Sequence, residues 1–203
     1  TGEWVDNGQH VLMGCYRETL ALLERLGTRE GIRFQPRLAI PYRGENGFRD
    51  ILACPPLPGP IHLLWGLFRM RKLGLRDAWA AVRMARVASR NADARSKGTV
   101  EWFCSHLNQT PALMETLWRP ITLSALNEEP ERADAGLFCV VLKRAFLSRA
   151  EDSRIGLPTL PLQELHGDRV TRIIRRRGGV VRLGTRADRF EVSNGWLAGV
   201  LLS

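Results

Sequence analysis

The run PPLPGP at residues 55–60 constrains the fold of this chain more than any other stretch of its sequence. Prolines interrupt both helices and central strands, so regular structure has to end before this run and begin anew after it. Before it, the β-friendly runs 38–42 and 48–53 flank a Gly-Glu-Asn-Gly turn and predict a hairpin. After it, residues 61–147 show helical periodicity. Because strands do not alternate with helices, the sequence predicts an α+β fold and not a doubly wound parallel sheet.

Helical periodicity and turn residues predict the remaining elements. Thr110 and Pro111 suit the cap and the first turn of a helix, and Pro120 is expected to kink or split that helix. Asn194-Gly195 predicts a tight hairpin turn near the end of the chain. The expected helices cover residues 8–27, 61–73, 75–90, 99–108, 111–126, 133–148 and 161–177. The expected C-terminal strands cover residues 180–183, 185–193 and 197–202.

Charge and cysteine content limit the classes of protein to which the chain can belong. It has a net charge of +9 and contains no apolar run of about 18 residues that could span a membrane. The start of the chain lacks the basic region and apolar run of a secretory signal. We therefore expect a cytoplasmic protein with buried free thiols at Cys15, Cys54, Cys104 and Cys139, and neither a disulfide nor a metal site. The opening at Thr1, without a methionine, predicts that the chain is either processed or cut from a longer protein.

Two predicted helices between residues 61 and 90 combine aromatic and basic side chains. This stretch has seven basic residues and one acidic residue. One interpretation is an ordinary solvent-exposed surface rich in arginine. Another is an amphipathic pair that lies on a membrane, with rings at the acyl boundary and guanidinium groups on lipid phosphates. Nucleic acid is not expected as a partner, because no recognised nucleic-acid-binding motif is present. The residues expected to face substrate or membrane are Trp65, Phe68, Met70, Arg83 and Arg86.

The search for chemical motifs leaves one short polar turn as a candidate site. The chain has no GxGxxG, GxxxxGK[ST] or GxSxG sequence. In the turn DNGQH at residues 6–10, Gly8 allows the backbone to approach a flat ligand closely, and Gln9 and His10 present polar heads beside it. A helix-capping turn explains the first two residues equally well. The histidines outside this turn stand alone, a pattern that is more often structural than catalytic.

The same turn begins a family resemblance. The segment VDNGQHVLMGCYRETLALLERLG resembles the stretch that follows the first FAD-binding motif in the squalene-associated FAD-dependent desaturases. These are the hydroxysqualene dehydroxylases of hopanoid biosynthesis, relatives of phytoene desaturases and flavin amine oxidases. The tail RIIRRRGGVVRLGTRADRFEVSNGWLAGVLL and the preceding LPTLPLQEL are similar to the same group. The resemblance covers essentially the whole chain and is strongest at both ends.

The resemblance implies a flavin amine-oxidase-like FAD/NAD(P)-binding fold whose Gly-rich strand–turn–helix and C-terminal flavin segment are missing from this chain. It divides the chain into a flavin-proximal turn, helix and hairpin at 1–54, a helical substrate domain at 55–160, and a helix and strands of the FAD-binding domain at 161–203. Because the pyrophosphate site is missing, we expect the chain alone to be inactive and to bind FAD weakly or not at all. Apolar surfaces that the missing segments would otherwise cover are expected to favour association into homo-oligomers.

The resemblance also implies a reaction and assigns residues to it. Asp6, Gly8, Gln9 and His10 would lie at the junction of flavin and substrate, and Ala187 would offer backbone hydrogen bonds to the adenine end. In the family reaction a reduced flavin delivers hydride to an allylic carbon of hydroxysqualene while the hydroxyl leaves as water. His10 is the candidate for the polar group nearest that event. The hairpin and the helices that follow it would wall an apolar tunnel for the long isoprenoid, with its entrance at the bacterial inner membrane.

Two other functions remain open at this point. A phytoene- or carotenoid-type desaturase would use the same flavin oxidatively, and the product formed from each substrate would distinguish it. A lipid- or membrane-binding module without a flavin would use the basic helices alone, and its binding to anionic liposomes should weaken with salt.

Overall fold

The computed structural model describes residues 11–44, 47–91 and 98–203 and shows helices together with short antiparallel strands, which is compatible with an α+β fold. The α-helices are α1 (Arg17–Leu26), α2 (Ile61–Phe68), α3 (Leu75–Asn91), α4 (Val100–His106), α5 (Pro111–Leu113), α6 (Arg119–Leu126), α7 (Ala135–Leu142) and α8 (Asp168–Arg176). The strands are β1 (Leu12–Met13), β2 (Ile32–Phe34), β3 (Ala39–Arg43), β4 (Arg49–Ala53), β5 (Ile155–Pro158), β6 (Ala187–Ser193) and β7 (Trp196–Leu202). Three π-helical turns extend the helices at Met114–Trp118, Lys143–Leu147 and Gln163–Gly167.

The strands form three small antiparallel sheets. Strand β5 is the central strand of the first sheet, where Gly156 lies opposite Leu12 of β1 and Pro158 lies opposite Ile32 of β2. Strands β3 and β4 form the predicted hairpin, and β6 and β7 form a second hairpin. The turn of this second hairpin carries positive φ angles of 52° at Asn194 and 79° at Gly195, which confirms the predicted tight turn.

Two clusters of buried apolar side chains hold these elements together. The larger cluster joins the β3–β4 hairpin to the helices from α2 to α7, with Leu38, Met84 and Phe138 among its fully buried members. The smaller cluster joins Leu12, Leu23, Ile32 and Leu165. The larger cluster therefore contains residues from both sides of the domain boundary that the resemblance places between residues 54 and 55. In the smaller cluster, residues of the expected 1–54 domain pack against Leu165 of the expected 161–203 domain. The division into domains stays a prediction.

Local signals place most helix ends where the sequence predicts them. Gly27 takes a φ of 69° at the C-terminus of α1, a left-handed conformation that glycine adopts without strain. The Thr110 hydroxyl oxygen accepts a hydrogen bond from the Leu113 amide at 3.2 Å, which confirms the predicted cap. Asp134 caps α7 in the same way, because its carboxylate accepts from the Leu137 amide at 2.8 Å.

Several expected elements differ in the structure. The helix expected over 8–27 begins only at Arg17, since the residues just before it pair with β5 as strand β1. The helix expected over 61–73 ends at Phe68, and residues 180–183 do not form the expected strand. Strands β2 and β5 have no counterpart in the sequence prediction. Each is only three or four residues long, too short to show an alternating pattern, and the two lie more than a hundred positions apart.

The disruption predicted at Pro120 is present as the π-helical turn Met114–Trp118. A proline has no amide hydrogen, so the carbonyl four residues earlier loses its helical partner. Here that carbonyl belongs to Thr116, and it accepts a hydrogen bond from the Tyr42 hydroxyl at 3.1 Å. The helix therefore continues past Pro120 as α6, and a side chain from the β3–β4 hairpin satisfies the carbonyl that the proline leaves open.

We expect Tyr42→Phe to lower the free energy of unfolding by about 1–3 kcal/mol, because it removes the side-chain hydrogen bond to the carbonyl of the buried Thr116. Urea unfolding followed by circular dichroism measures this change. Tyr16→Phe is the matched control, since the described residues offer its half-exposed hydroxyl no hydrogen bond and its loss should cost little. Equal effects of the two substitutions would contradict a specific role for the Tyr42 hydroxyl.

Candidate functional site

An apolar cavity of about 460 Å³ lies between the β3–β4 hairpin and the surrounding helices. This volume falls within the range of roughly 300–1,000 Å³ that is usual for small-molecule sites. The hairpin side of the wall is formed by Leu38, Ile40, Tyr42 and Leu52. The helical side is formed by Pro60, Leu63, Leu64, Leu67, Ala81, Met84, Ala85, Leu117, Trp118, Pro120, Ile121, Ser124, Ala125, Leu142, Phe146 and Leu147. Val11, Met13, Tyr16 and Ile155 complete the wall.

Close packing of α2 on strand β4 sets one side of the cavity. A Cβ atom placed on Gly66 would lie 3.0 Å from a methyl carbon of Leu52 and 3.1 Å from Cys54 Sγ, so a larger residue would push the helix away from the sheet. With glycine at this position, the side chains of Leu63 and Leu67 reach into the cavity. The hairpin and the helices therefore wall an apolar cavity, at the place where the family resemblance implies an apolar tunnel.

Three polar side-chain groups in the cavity wall have partners within the protein, whereas the half-exposed Tyr16 hydroxyl has none among the described residues. The Tyr42 hydroxyl donates to the Thr116 carbonyl, and Trp118 Nε1 donates to Gln109 Oε1 at 3.0 Å. Ser124 Oγ donates to the carbonyl of Ile121 at 3.2 Å. None of the described residues that line the cavity carries a charge. The cavity can thus accept a long hydrocarbon, which has no polar group to offer in return.

The expected surface residues of α2 divide into exposed and buried groups. Trp65 is 52 % exposed and Phe68 is 60 % exposed, so both rings face outward from the helix whose opposite side lines the cavity. Met70 is only 2 % exposed and belongs to the larger buried cluster. The expectation that Met70 faces a membrane is wrong, because α2 has ended before this residue and the chain turns it into the core.

The two arginines expected at the surface of α3 lie there, but in different surroundings. Arg83 donates hydrogen bonds from Nε and one terminal nitrogen to the carbonyls of Leu107 and Asn108, at 3.3 and 3.0 Å. It therefore helps to satisfy the carbonyl end of α4. Arg86 is exposed. The sequence analysis missed Trp79, which is 65 % exposed on the same helix and is a third exposed ring within the 61–90 stretch.

Only one of the residues expected to contact a flavin lies within the described part of the chain. Asp6, Gly8, Gln9 and His10 fall outside the described residues. Ala187, the first residue of β6, follows Arg186, which exchanges both backbone hydrogen bonds with Ser203. Because partners alternate along an antiparallel pair, the amide and carbonyl of Ala187 point away from β7, toward the open edge of the hairpin. They are placed to pair with another group, and the role expected for Ala187 stays a prediction.

His62 is the most deeply buried titratable histidine that the structure describes, at 2 % exposure. Its Nε2 lies 3.2 Å from Ser153 Oγ, and that hydroxyl donates to the carbonyl of Ala150 at 2.8 Å. On this basis we assign the Nε2–H tautomer, in which Nε2 donates to the serine oxygen, and Nδ1 has no hydrogen-bond partner among the described residues. Burial lowers the pKa of His62 below its ordinary value of 6.5, although the Pro58 carbonyl and Glu151 act in the opposite direction.

Three of the four cysteines are buried free thiols, as the sequence predicts, and Cys15 is half-buried. Burial raises the pKa of Cys104 to about 12 and that of Cys54 and Cys139 to about 11, so these thiols stay protonated. Within residues 11–44, 47–91 and 98–203, no group of three His, Cys, Asp or Glu side chains could hold a metal ion. Over the same ranges, no helix combines the length and apolar character needed to cross a bilayer.

Comparison with known proteins identifies a distant relative. A curated hydroxysqualene dehydroxylase from Sinorhizobium fredii (strain NBRC 101917 / NGR234) is 25 % identical to this chain over 183 residues. The match covers 88 % of the chain but 41 % of the relative, so the chain spans about two fifths of that protein's length. No protein-family model matches the chain. These findings support a distant relation to the hydroxysqualene dehydroxylases.

The burial of neutral His62 predicts a pH dependence of stability. The unfolded chain binds a proton at this histidine below about pH 6.5, whereas the folded protein resists it, so stability should fall as the pH drops from about 7.5 to 5.5. We expect this fall to be smaller in His62→Gln than in the unchanged protein, as measured by urea unfolding at each pH. The exposed His106 gives the matched control, His106→Gln, whose pH dependence should follow that of the unchanged protein. If the free energy of unfolding fell by the same amount in all three proteins, groups other than His62 would cause the pH dependence.

Proposed function

We propose that this chain is the substrate-binding part of an FAD-dependent oxidoreductase that converts hydroxysqualene to squalene in hopanoid biosynthesis. The uncharged cavity between the β3–β4 hairpin and the helices carries the proposal. A C30 isoprenoid is almost entirely hydrocarbon, and moving it from water into such a cavity is favourable by about 25 cal/mol for each Å² of apolar surface buried. The distant relation to a hydroxysqualene dehydroxylase supports this choice of substrate.

The residues next to the DNGQH turn suggest which end of the cavity would hold the hydroxyl-bearing end of the substrate. Val11, Met13 and Tyr16 line the cavity, and Val11 directly follows the DNGQH turn. We place the hydroxyl-bearing carbon of the substrate at this end, close to the turn. His10 is the proposed polar group nearest the departing hydroxyl, which needs a proton to leave as water. The apolar wall would keep other water away from the allylic carbon.

FAD is proposed to contact the DNGQH turn and strand β6. Asp6, Gly8 and Gln9 are the proposed contacts to the flavin ring, and the outward-facing backbone of Ala187 is the proposed contact to the adenine end. When bound in its reduced form, FAD supplies the hydride that replaces the hydroxyl. Since the chain has no GxGxxG sequence, we expect the rest of the cofactor site to come from polypeptide beyond these residues.

The exposed β6–β7 hairpin supports the same arrangement. Phe190 and Val192 of β6 are 66 % and 67 % exposed, and Trp196 and Leu197 of β7 are 80 % and 61 % exposed. Apolar side chains on this scale usually mark a surface that another part of a protein covers. We propose that residues 161–203 belong to the FAD-binding domain and that its remaining part covers this hairpin. Homo-oligomers of the isolated chain would use the same surface.

A membrane contact through α2 and α3 is proposed for substrate entry. Trp65, Phe68 and Trp79 are exposed beside the basic residues of the 61–90 stretch, and α2 packs against α3. Aromatic rings at the acyl boundary and guanidinium groups on phosphates stabilise such a contact. Since the inner face of α2 lines the cavity, an isoprenoid dissolved in the membrane would have a short path into the protein.

We expect Ala85→Phe to weaken binding of squalene and hydroxysqualene by about tenfold or more, because the new ring fills part of the cavity. Quenching of tryptophan fluorescence measures this binding, since Trp118 lies in the cavity wall. Ser89→Phe is the matched control, as Ser89 is exposed on the same helix and does not line the cavity.

Equal affinity of Ala85→Phe and the unchanged protein would contradict the assignment of this cavity to the isoprenoid. The full-length enzyme, assayed with hydroxysqualene and with phytoene, tests the reaction itself. Formation of squalene from hydroxysqualene is the expected result, whereas desaturated products from phytoene would favour a carotenoid-type desaturase.

We expect the chain to sediment with vesicles that contain phosphatidylserine and to do so less as salt increases. The Trp65→Ala/Phe68→Ala variant should sediment at least fivefold less, because each ring buries apolar surface at the interface. Trp102→Ala is the control, since Trp102 is exposed on α4 and lies outside the basic 61–90 stretch. Absence of vesicle binding at low salt would overturn the membrane contact and leave the cavity assignment intact.

A further inference from the structure

A second cavity of about 500 Å³ lies beside the apolar one and differs from it in charge. Its wall contains the PPLPG loop that precedes α2 and the turn that precedes β5. Three arginines, Arg37, Arg149 and Arg154, line it together with one carboxylate, Glu151. Three guanidinium groups against one carboxylate leave a surplus of positive charge, and this surplus distinguishes the second cavity from the first.

The described residues neutralise only part of this charge. Arg149 Nε lies 3.6 Å from Glu151 Oε2, so the one carboxylate in the wall is paired with one of the arginines. Arg37 and Arg154 have no carboxylate within ion-pair distance in residues 11–44, 47–91 and 98–203. Arg154 is half-buried, and a partly desolvated guanidinium group binds an anion more strongly than one in open water.

The buried His62 supplies a second, independent indication of a ligand. It lies in the wall of this cavity at 2 % exposure, and its Nδ1 has no hydrogen-bond partner among the described residues. Because Ser153 Oγ accepts from Nε2, Nδ1 carries the free lone pair and requires a donor. A buried acceptor of this kind is costly unless something occupies the cavity and donates to it.

We propose that this second cavity binds a phosphate or diphosphate group. Such a group offers negative oxygens to the guanidinium groups of Arg37 and Arg154, which match phosphate geometry with two parallel hydrogen bonds each. A phosphate that retains one proton also donates its hydroxyl to His62 Nδ1. A carboxylate satisfies the arginines but leaves the histidine without a donor. A chloride ion likewise pairs with the arginines and offers no donor to the histidine.

The neighbouring apolar cavity raises the question of what carries the phosphate. Leu38 is 1 % exposed and forms part of both cavity walls, so the two cavities adjoin at this side chain. The phosphate group therefore belongs either to a free anion or to a compound with an isoprenoid tail. The arginines and His62 would bind the phosphate group in the same way in both cases. Only the compound with an isoprenoid tail would also bury apolar surface, so the affinities of the two compounds can distinguish them.

Isothermal titration calorimetry of the chain with inorganic diphosphate and with a prenyl diphosphate tests the proposal, with sodium chloride at equal ionic strength as the reference. We expect saturable binding that is absent with chloride and about tenfold or more weaker in Arg154→Gln and in Arg37→Gln. Arg172→Gln, on the exposed side of α8, removes the same charge elsewhere and should bind as the unchanged protein does. If the prenyl diphosphate binds more tightly than inorganic diphosphate, the ligand carries an isoprenoid tail. If the two bind equally, the ligand is a free anion.

Equal losses in Arg154→Gln and Arg172→Gln would overturn the proposal, because binding would then follow net charge alone. Absence of saturable binding in the unchanged protein would overturn it as well. His62→Asn, checked for folding by circular dichroism, should also weaken diphosphate binding. The Ala85→Phe variant separates this inference from the isoprenoid site, since it should impair squalene binding and leave binding of inorganic diphosphate unchanged.

Discussion

The hydrogen bond from the Tyr42 hydroxyl to the Thr116 carbonyl joins the two walls of the apolar cavity. It exists because Pro120 removes the helical partner of that carbonyl and because the hairpin brings a tyrosine to the same place. Without it, the buried Thr116 would lose the hydrogen bond that its carbonyl accepts from the hairpin. A local irregularity in one helix thus determines how the hairpin is attached.

The sequence predicts the elements that rest on local signals and misses those that rest on distant pairing. Gly27, Thr110 and Asn194-Gly195 each act within one turn of the chain, and the structure agrees with all three. Strand β5 owes its conformation to partners more than a hundred residues away, which no pattern within a four-residue segment can reveal. The family resemblance implies an apolar cavity between the hairpin and the helices, whereas the turn of the chain that buries Met70 after α2 depends on tertiary packing.

Helix α2 presents apolar side chains on two sides within only eight residues. Leu63 and Leu67 face the cavity, Gly66 allows contact with β4, and Trp65 and Phe68 face outward. The wall between the apolar interior and the outer surface is therefore one helix thick at this point. A helix that is apolar on both sides is suited to a place where a hydrophobic molecule passes from one apolar environment to another.

The central position of β5 also has a consequence for the order in which the protein folds during synthesis. Strands β1 and β2 are made before β5, which is their one partner among the described strands, and Leu165 joins Leu12 and Leu23 later still. Until the ribosome has made these segments, the first sheet has no central strand and its apolar side chains lack their cover. Strands β1 and β2 therefore depend on slow, long-range closure with segments made later, while the helices, built from local contacts, form first.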